Sequence, residues 1–147
     1  MTFFTEYAKI QFLYSREYSK YRDKILLLEP FNYVPVTEYF EREILPEGFV
    51  TDNASIPDFL AWFIHPNDKR LRAAAWHHDY VPQQKKYYMD KYGYSDEELF
   101  LKNNLEFVSM ARKHGFPEWK CKLMFFAINN TKIAKDIWAR GGQLKDN

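Results

Sequence analysis

PEGFVTDNASIPDFLAWFIHPNDKRLRAAAWHHDY, residues 46–80, is the stretch in which the sequence changes from a strand-like to a helical pattern. Its first three residues are typical of a tight turn that leads into a short strand at 49–51. Ser55 follows, with an aspartate three positions later, and this pair predicts the capped start of a helix over 56–64. The stretch also contains three of the four histidines in the chain. We therefore expect any chemical site to lie here.

Upstream of this stretch, the pattern favours strands joined by loops. Residues 8–14 and 24–29 are β-compatible runs, and the second is too apolar to lie flat on a surface. Prolines then interrupt the sequence, so residues 31–37 predict only a short edge strand. Residues 38–45 fit either a strand or a helix, and the turn that follows them favours a strand. Together these runs predict a small antiparallel sheet or meander.

Downstream, the spacing of apolar residues becomes helical. After the short helix at 56–64, an Asn-Asp pair predicts the cap of a second helix, which ends near Tyr80 before a Val-Pro pair. A connector rich in tyrosine and lysine, which could include a turn of helix, is expected at 83–94. A capping box then opens a third helix at 95–113, and a last helix is predicted over 117–140.

These patterns predict an α+β fold in a single domain over residues 1–147. A small N-terminal antiparallel β-sheet or meander is followed by about four α-helices packed on it. The β-rich part covers 1–52, the helical part covers 55–140, and the tail at 141–147 is expected to fray. A chain of this length can bury a core without disulfides or a structural metal.

The composition excludes several classes of function. The chain has 21 basic and 20 acidic residues, a net charge of +1, so no nucleic-acid surface is expected. Its single cysteine excludes a disulfide framework and a thiolate metal cluster. The N-terminal segment lacks the apolar run of a signal peptide, and no transmembrane segment is expected.

The His77-His78-Asp79 sequence is the clearest candidate for chemistry. Neighbouring residues of a helix point about 100° apart, so a regular helix cannot direct all three side chains to one site. His78 shares a face with apolar residues, which predicts that it is at least partly buried. A carboxylate from Asp52 or Asp79 would orient its ring and raise its basicity. Such a histidine could be a general base or a metal ligand, and the alternative is a core histidine bonded to a backbone carbonyl.

Asp52, Ser55 and Asn104 complete the candidate catalytic set. Asp52 is either a catalytic carboxylate or an Asx turn that bonds its own backbone. Ser55 could be a nucleophile beside His78, although a helix cap explains it fully. Asn104 lies on the apolar stripe of the third helix, where a buried amide must be hydrogen-bonded. It is therefore predicted to reach toward His78 or Asp52.

A divalent metal ion is the cofactor that the histidines and aspartates of this chain could bind. The sequence lacks paired cysteines, an H-E-x-x-H helix, an EF-hand loop and a glycine-rich phosphate loop. A metal site would have to combine His77 or His78 with Asp52 and Asp79 across the fold.

Two motifs stand out together: GFVTDNASIP at 48–57 and AAAWHHDY at 73–80. With the capped amphipathic helix and the ring-rich last helix that follow, they resemble the DUF1353 family of small proteins, found largely in bacteriophages and prophages. The resemblance covers most of the chain, roughly 24–138. It implies a phage setting and no particular activity. It also implies a shared polar cluster at Asp52, Ser55, His78 and Asp79.

One position departs from the family pattern. Such sequences usually carry an aspartate in the helix after the His-Asp pair, three residues before a phenylalanine, and here Asn104 precedes Phe107 at that place. An amide cannot act as a base. If that aspartate is essential for catalysis or metal binding, this member is weakened or inactive.

Two functional hypotheses follow. In the first, the chain is a small phage-encoded hydrolase in which His78 is a general base or metal ligand and Asn104 positions water or substrate. In the second, it is a non-enzymatic phage protein, associated with the virion or tail or binding a host factor, and the same residues form a buried structural clasp. The tyrosines at 80–94 are the expected contact surface for virion or host proteins. Both hypotheses place the protein in the host cytoplasm or the virion.

Overall fold

Antiparallel strands form two small sheets in the N-terminal part of the fold. The computed structural model describes residues 10–13, 24–51 and 68–141. Five strands lie within these ranges: β1 Ile10–Leu13, β2 Lys24–Leu27, β3 Phe31–Tyr33, β4 Glu43–Leu45 and β5 Val50–Thr51. β2 lies between β1 and β5 in one sheet, and β3 pairs with β4 in the other. Every pairing is antiparallel, as predicted.

The pairing of β3 with β4 sets which side chains enter the core. Phe31 lies opposite Leu45, and Tyr33 lies opposite Glu43. Because side chains alternate along a strand, Phe31 and Tyr33 are buried while Asn32 is exposed. Glu43 and Tyr33 are consequently held side by side at one end of this small sheet.

Two predicted strands are shorter than expected. The first, predicted at 31–37, stops after three residues because a proline interrupts it. Beyond the proline, the amides of Val36 and Thr37 donate to the Glu106 carboxylate at 3.0 and 2.9 Å. The second, predicted at 38–45, is confined to the three residues of β4, since amides before it bond side-chain hydroxyls instead of a neighbouring strand.

Five α-helices follow within the described residues: α1 Arg72–Gln83, α2 Lys85–Tyr92, α3 Asp96–Lys113, α4 Glu118–Asn130 and α5 Lys132–Ala139. A 3-10 turn at Lys69–Leu71 precedes α1, and the Asp68 side chain caps it by accepting the Arg70 amide at 2.9 Å. The α+β class is confirmed, with five helices where about four are predicted. The helix predicted at 56–64 lies outside the described residues. No helix among the described residues is long and apolar enough to cross a membrane.

α1 continues beyond its predicted end near Tyr80 and includes Pro82. Proline has no amide hydrogen, so the His78 carbonyl, four residues earlier, loses its usual helical partner. The side-chain amide of Asn103 donates to that carbonyl at 3.0 Å. The prediction of a helix end before Pro82 is therefore wrong, because a neighbouring helix supplies the missing donor.

Two further predicted boundaries differ from the structure. The connector predicted at 83–94 contains the eight-residue helix α2. The last helix, predicted over 117–140, is interrupted at Thr131, where the backbone is extended at φ −93° and ψ 150°. The Thr131 hydroxyl donates to the Ala127 carbonyl at 2.6 Å and accepts the Ala134 amide at 3.2 Å. One side chain thus ends α4 and caps α5.

The third predicted helix is confirmed as α3. Its capping box is complete, since the Ser95 hydroxyl accepts the Glu98 amide at 3.1 Å and the Glu98 carboxylate accepts the Ser95 amide at 3.3 Å. The helix stops before Gly115, whose φ of +90° favours glycine. Local signals at both ends therefore set its length.

One hydrophobic core joins the strands to the helices. It contains Leu27, Phe31, Tyr33, Leu45 and Phe49 from the strand region. From the helical region it contains Leu71, Trp76, Phe107, Met124 and Ile128, among others. A second cluster, rich in rings, consists of Phe40, Val81, Tyr88, Leu99 and Trp138. α1 and α3 both contribute to both clusters and therefore join them.

Candidate functional site

His78 lies on α1 and contacts α3. Its Nε2 is 2.7 Å from Oδ1 of Asn104. The Asn104 amide nitrogen donates to the Ile128 carbonyl at 3.2 Å and to Oδ1 of Asn129 at 3.0 Å. Because this nitrogen is committed to two acceptors, the Asn104 oxygen must accept, and the hydrogen of the His78 ring is on Nε2. The contact predicted between Asn104 and His78 is confirmed.

The His78 imidazole is neutral at physiological pH. Burial lowers its pKa from 6.5 to about 4, while the hydrogen bond to Asn104 opposes the shift and the neighbouring His77 adds to it. The ring packs against Phe107, with ring centroids 4.8 Å apart. A neutral ring that carries its hydrogen on Nε2 has an unprotonated Nδ1. His78 could thus accept a proton, although with low basicity.

A small pocket lies beside His78. Its volume is about 30 Å³, which is room for one or two water molecules. The polar lining consists of His78, Asp79 and Asn104, and Asp79 is itself buried. The apolar lining comes from Pro82, Phe100, Ile128, Ala134, Ile137 and Trp138. Three polar side chains thus line one pocket that has room for one or two water molecules.

His77 is more deeply buried and faces different partners. Only 1% of its surface is exposed. Its Nε2 is 2.8 Å from Oε1 of Glu43, and this oxygen also accepts the Tyr88 hydroxyl at 2.5 Å. The ring stacks on Tyr33 with centroids 4.1 Å apart and meets the edge of Phe40 at 4.9 Å. The contact with Glu43 has the distance of an ion pair without the alignment of a hydrogen bond. His77 therefore links α1 to β4.

Glu106 is a buried carboxylate that the sequence interpretation missed. It accepts hydrogen bonds from the Tyr33 hydroxyl, the Val36 amide, and both the amide and the hydroxyl of Thr37, at 2.5–3.0 Å. Four donors match the acceptor capacity of an ionised carboxylate. Burial and the nearby Glu106 raise the pKa of Tyr33 well above its usual value, so its hydroxyl stays protonated and donates. Glu106 thereby fixes the segment between β3 and β4 to α3.

The spacing of α3 contains a signal for these buried polar residues. Leu99, Asn103, Glu106 and Met110 recur at intervals of four, three and four residues, and all are buried. A polar residue at such a position must find a partner inside the protein. Asn103 and Glu106 therefore require buried partners for the same reason as Asn104.

The structure brings some of the predicted site residues together and separates others. Three of them, on α1 and α3, meet at the pocket. His77 instead faces the ring-lined space beside β4. Asp52 and Ser55 lie outside the described residues. In the described part of the chain, no group of three His, Cys, Asp or Glu side chains is placed to hold a metal ion. The catalytic and metal-binding roles stay predictions.

Most of the chain matches one protein family. The family model described as "Protein of unknown function (DUF1353)" matches residues 25–128. The chain belongs to the DUF1353 family. The match begins in β2 and ends within α4, so it includes His78 and Asn104, whereas α5 lies beyond it. No match was found among curated proteins or among solved structures.

Asn104 is the position at which this DUF1353 chain departs from the expected pattern, and its geometry shows the consequence. The carboxamide uses its oxygen for His78 and its nitrogen for two acceptors on α4. A carboxylate could accept from His78 but could not donate to α4. Asn104 therefore joins α1, α3 and α4.

The tyrosines at 80–94 of this DUF1353 chain differ in exposure. Tyr88 is fully buried and donates to a carboxylate of β4, and burial raises its pKa far above the usual value. Tyr92 accepts a backbone amide, and Tyr94 donates to a backbone carbonyl, both in the segment before β4. Tyr87 is 52% exposed. Tyr88 is therefore not available to a partner, and the role of the segment in binding a partner stays a prediction.

Proposed function

We propose that this DUF1353 protein is a phage-encoded, non-enzymatic protein that acts by binding another protein of the virion or of the host. In this proposal, the polar residues around His78 form a structural clasp. The observation that carries it is the series of hydrogen bonds from His78 through Asn104 to α4. The series joins α1, α3 and α4 at one point.

The pocket beside His78 supports a clasp more than an active site. Its volume is about 30 Å³, whereas pockets that enclose small-molecule ligands hold roughly 300–1,000 Å³. The Nε2 hydrogen of His78 is engaged, and a pKa of about 4 makes the ring a weak base at neutral pH. Both features suit a ring that is held in place.

The phage setting is supported by the resemblance of the motifs GFVTDNASIP and AAAWHHDY to sequences found largely in bacteriophages and prophages. On the same basis, the proposed location is the host cytoplasm or the virion. Residues 80–94 remain a proposed contact for virion or host proteins, with Tyr87 as the exposed ring.

A double-mutant cycle on His78 and Asn104 tests the clasp. Each single change to alanine is expected to lower the free energy of unfolding by about 2–4 kcal/mol, because it leaves a buried partner without its hydrogen bond. The coupling energy between the two changes is expected to be about 1–3 kcal/mol. Urea unfolding followed by circular dichroism measures the parent, both single variants and the double variant.

Asn32→Ala and His114→Ala are matched controls for this cycle. Asn32 is exposed on β3, and His114 is half-buried at the end of α3. Both changes should leave the free energy of unfolding within about 0.5 kcal/mol of the parent. A coupling energy near zero, or a His78→Ala protein as stable as the controls, contradicts the clasp.

A small hydrolase is the second candidate, and one observation favours it. Asp79 and His78 line the same pocket, and Nδ1 of His78 is unprotonated, so the ring could accept a proton from a water molecule held there. The test is hydrolysis of ester, amide and phosphodiester substrates, with and without Mg²⁺, Mn²⁺ or Zn²⁺. Turnover by the parent that both Asp79→Asn and His78→Gln lose would favour the hydrolase. Hydrolysis by the parent and both variants at the same rate as without protein would favour the clasp.

A further inference from the structure

α4 presents an apolar stripe to the outside of the protein. Trp119, Leu123 and Phe126 are 58%, 39% and 62% exposed. Their spacing of four and three residues places them on one face of the helix. The opposite face is buried in the core through Cys121, Met124, Ala127 and Ile128. α4 is therefore apolar on two faces, one toward the core and one toward solvent.

The segment that contains this stripe carries a net positive charge. Residues 117–141 contain five basic and two acidic residues, a net charge of +3, while the whole chain carries +1. Both acidic groups are already paired, Glu118 with Arg112 at 2.6 Å and Asp136 with Lys132 at 2.9 Å. The charge that remains toward solvent is therefore positive, and such a surface attracts an acidic partner.

A second copy of this chain fits the stripe poorly. In a two-fold dimer the same patch faces itself. Lys122 is exposed and adjoins Leu123 of the stripe, so a two-fold dimer would place the positive charge of both copies at one interface. Like charges at an interface are unfavourable.

A lipid surface also fits less well than a protein. Asn130 is exposed and continues the stripe four residues after Phe126. A carboxamide that enters hydrocarbon loses its hydrogen bonds to water without replacement. A protein partner can replace those bonds with its own polar groups.

We propose that the α4 stripe, formed by Trp119, Leu123 and Phe126, binds an amphipathic helix of a protein partner whose polar face is rich in Asp and Glu. The inference rests on the proposed non-enzymatic function and names its contact surface. Apolar residues of the partner, spaced at i, i+3, i+4 and i+7, pack along the stripe. Carboxylates on the flanks of the partner helix pair with lysines beside the stripe, including Lys122.

Selection from a displayed library of helical peptides tests the proposal. The library has leucine at the four apolar positions and Glu, Lys or Gln at random elsewhere, and the bait is the full chain. The proposal predicts enrichment of peptides rich in Glu. Each enriched peptide should bind the parent at least tenfold more tightly than the double variant Leu123→Ser/Phe126→Ser, and added salt should weaken its binding. Fluorescence anisotropy of labelled peptides measures the affinities.

Ile44→Ser is the matched control, because Ile44 is a β-branched apolar residue on β4 with 62% of its surface exposed. It should leave peptide binding unchanged. No enrichment, enrichment of Lys-rich peptides, or equal binding by the double variant would overturn the proposal.

Two more measurements distinguish the other occupants. If the parent binds vesicles of phosphatidylcholine with phosphatidylserine and the double variant does not, the stripe binds a lipid surface and the proposal of a helical partner is wrong. If the parent forms a dimer in sedimentation experiments and the double variant does not, the stripe binds a second copy of the chain and the proposal of a helical partner is wrong. The double-mutant cycle on His78 and Asn104 measures stability and does not depend on peptide binding. A stripe that binds no peptide is therefore distinguishable from a His78–Asn104 pair that does not act as a clasp.

Discussion

Asn104 determines what the His78 ring can do. An amide that accepts from His78 stabilises a neutral ring, whereas a carboxylate at the same place would stabilise an imidazolium. Asn104→Asp should therefore raise the pKa of His78 above its value of about 4, by about 1–3 units. NMR titration of the His78 ring protons measures the shift. The His114 signal is the internal control, and an unchanged His78 titration would show that the two side chains are not in contact.

The low pKa of His78 links stability to pH. Its pKa falls from 6.5 to about 4 in the folded protein, so between these values the unfolded chain binds more protons than the folded one. The free energy of unfolding should therefore decrease as the pH falls through this window, by roughly 3 kcal/mol at most from this group. Urea unfolding at several pH values from 7.5 to 4 measures the decrease.

His78→Gln is the control for that titration. The glutamine amide can still donate to Asn104, but it does not titrate. The variant should lose less stability than the parent as the pH falls, and the difference isolates the contribution of His78. Parallel curves for the two proteins would contradict the low pKa.

The two adjacent histidines show how far single residues could be predicted. His78 shares a helical face with apolar residues, and periodicity alone predicts its partial burial. His77 is the more buried of the two because Tyr33 and Phe40 enclose its ring. That enclosure depends on how the segment from β3 to β4 folds over α1, and no local pattern near His77 records it.

At the scale of elements, α1 persists through Pro82 because α3 supplies a hydrogen-bond donor. Asn103→Ala should destabilise the protein by about 1–3 kcal/mol, since it leaves the partly buried His78 carbonyl without a partner. In a Pro82→Ala background, the new backbone amide can donate to the same carbonyl. Asn103→Ala should then cost less than it does in the parent, and denaturant unfolding of the four proteins measures the difference.

Exposed Asn32→Ala again serves as the control for the loss of an asparagine. Equal destabilisation by Asn103→Ala in both backgrounds would mean that the side chain does not replace the missing amide of Pro82.

Elements whose ends are set locally could be predicted, and the others could not. α3 carries its capping box and its apolar stripe in its own sequence, so both its position and its length follow from pattern. β3 ends before Pro35, which its own sequence indicates, but the path of the chain beyond the proline depends on Glu106, about seventy residues away, which accepts the amides of Val36 and Thr37. The passage of α1 through Pro82 likewise depends on a residue of another helix. Hydrophobic periodicity and capping motifs are local signals, so they do not predict partners that are distant in the sequence.

At the scale of the whole molecule, two polar contacts join the strand region to the helices, and a third joins two helices. His77 and Glu43 link α1 to β4, Glu106 links α3 to the segment before β4, and His78 with Asn104 links α1 to α3. The hydrophobic core also spans both parts. These contacts favour one cooperative unit, which is the organisation expected for a single domain over 1–147.

Leu45→Ala tests that cooperativity. Leu45 is fully buried on β4 and belongs to the core that contains helix residues such as Met124, so its truncation should cost about 2–5 kcal/mol. If strands and helices unfold together, far-ultraviolet circular dichroism, which reports the helices, and the NMR signals of the Phe31 and Tyr33 rings, which report β3, should move to the same lower urea concentration. Ile44→Ala, at the exposed neighbouring position of the same strand, should shift neither signal by more than about 0.5 kcal/mol. A ring signal that moves while the helical signal stays in place would mean that the strands unfold separately, and the single-domain expectation would then be wrong.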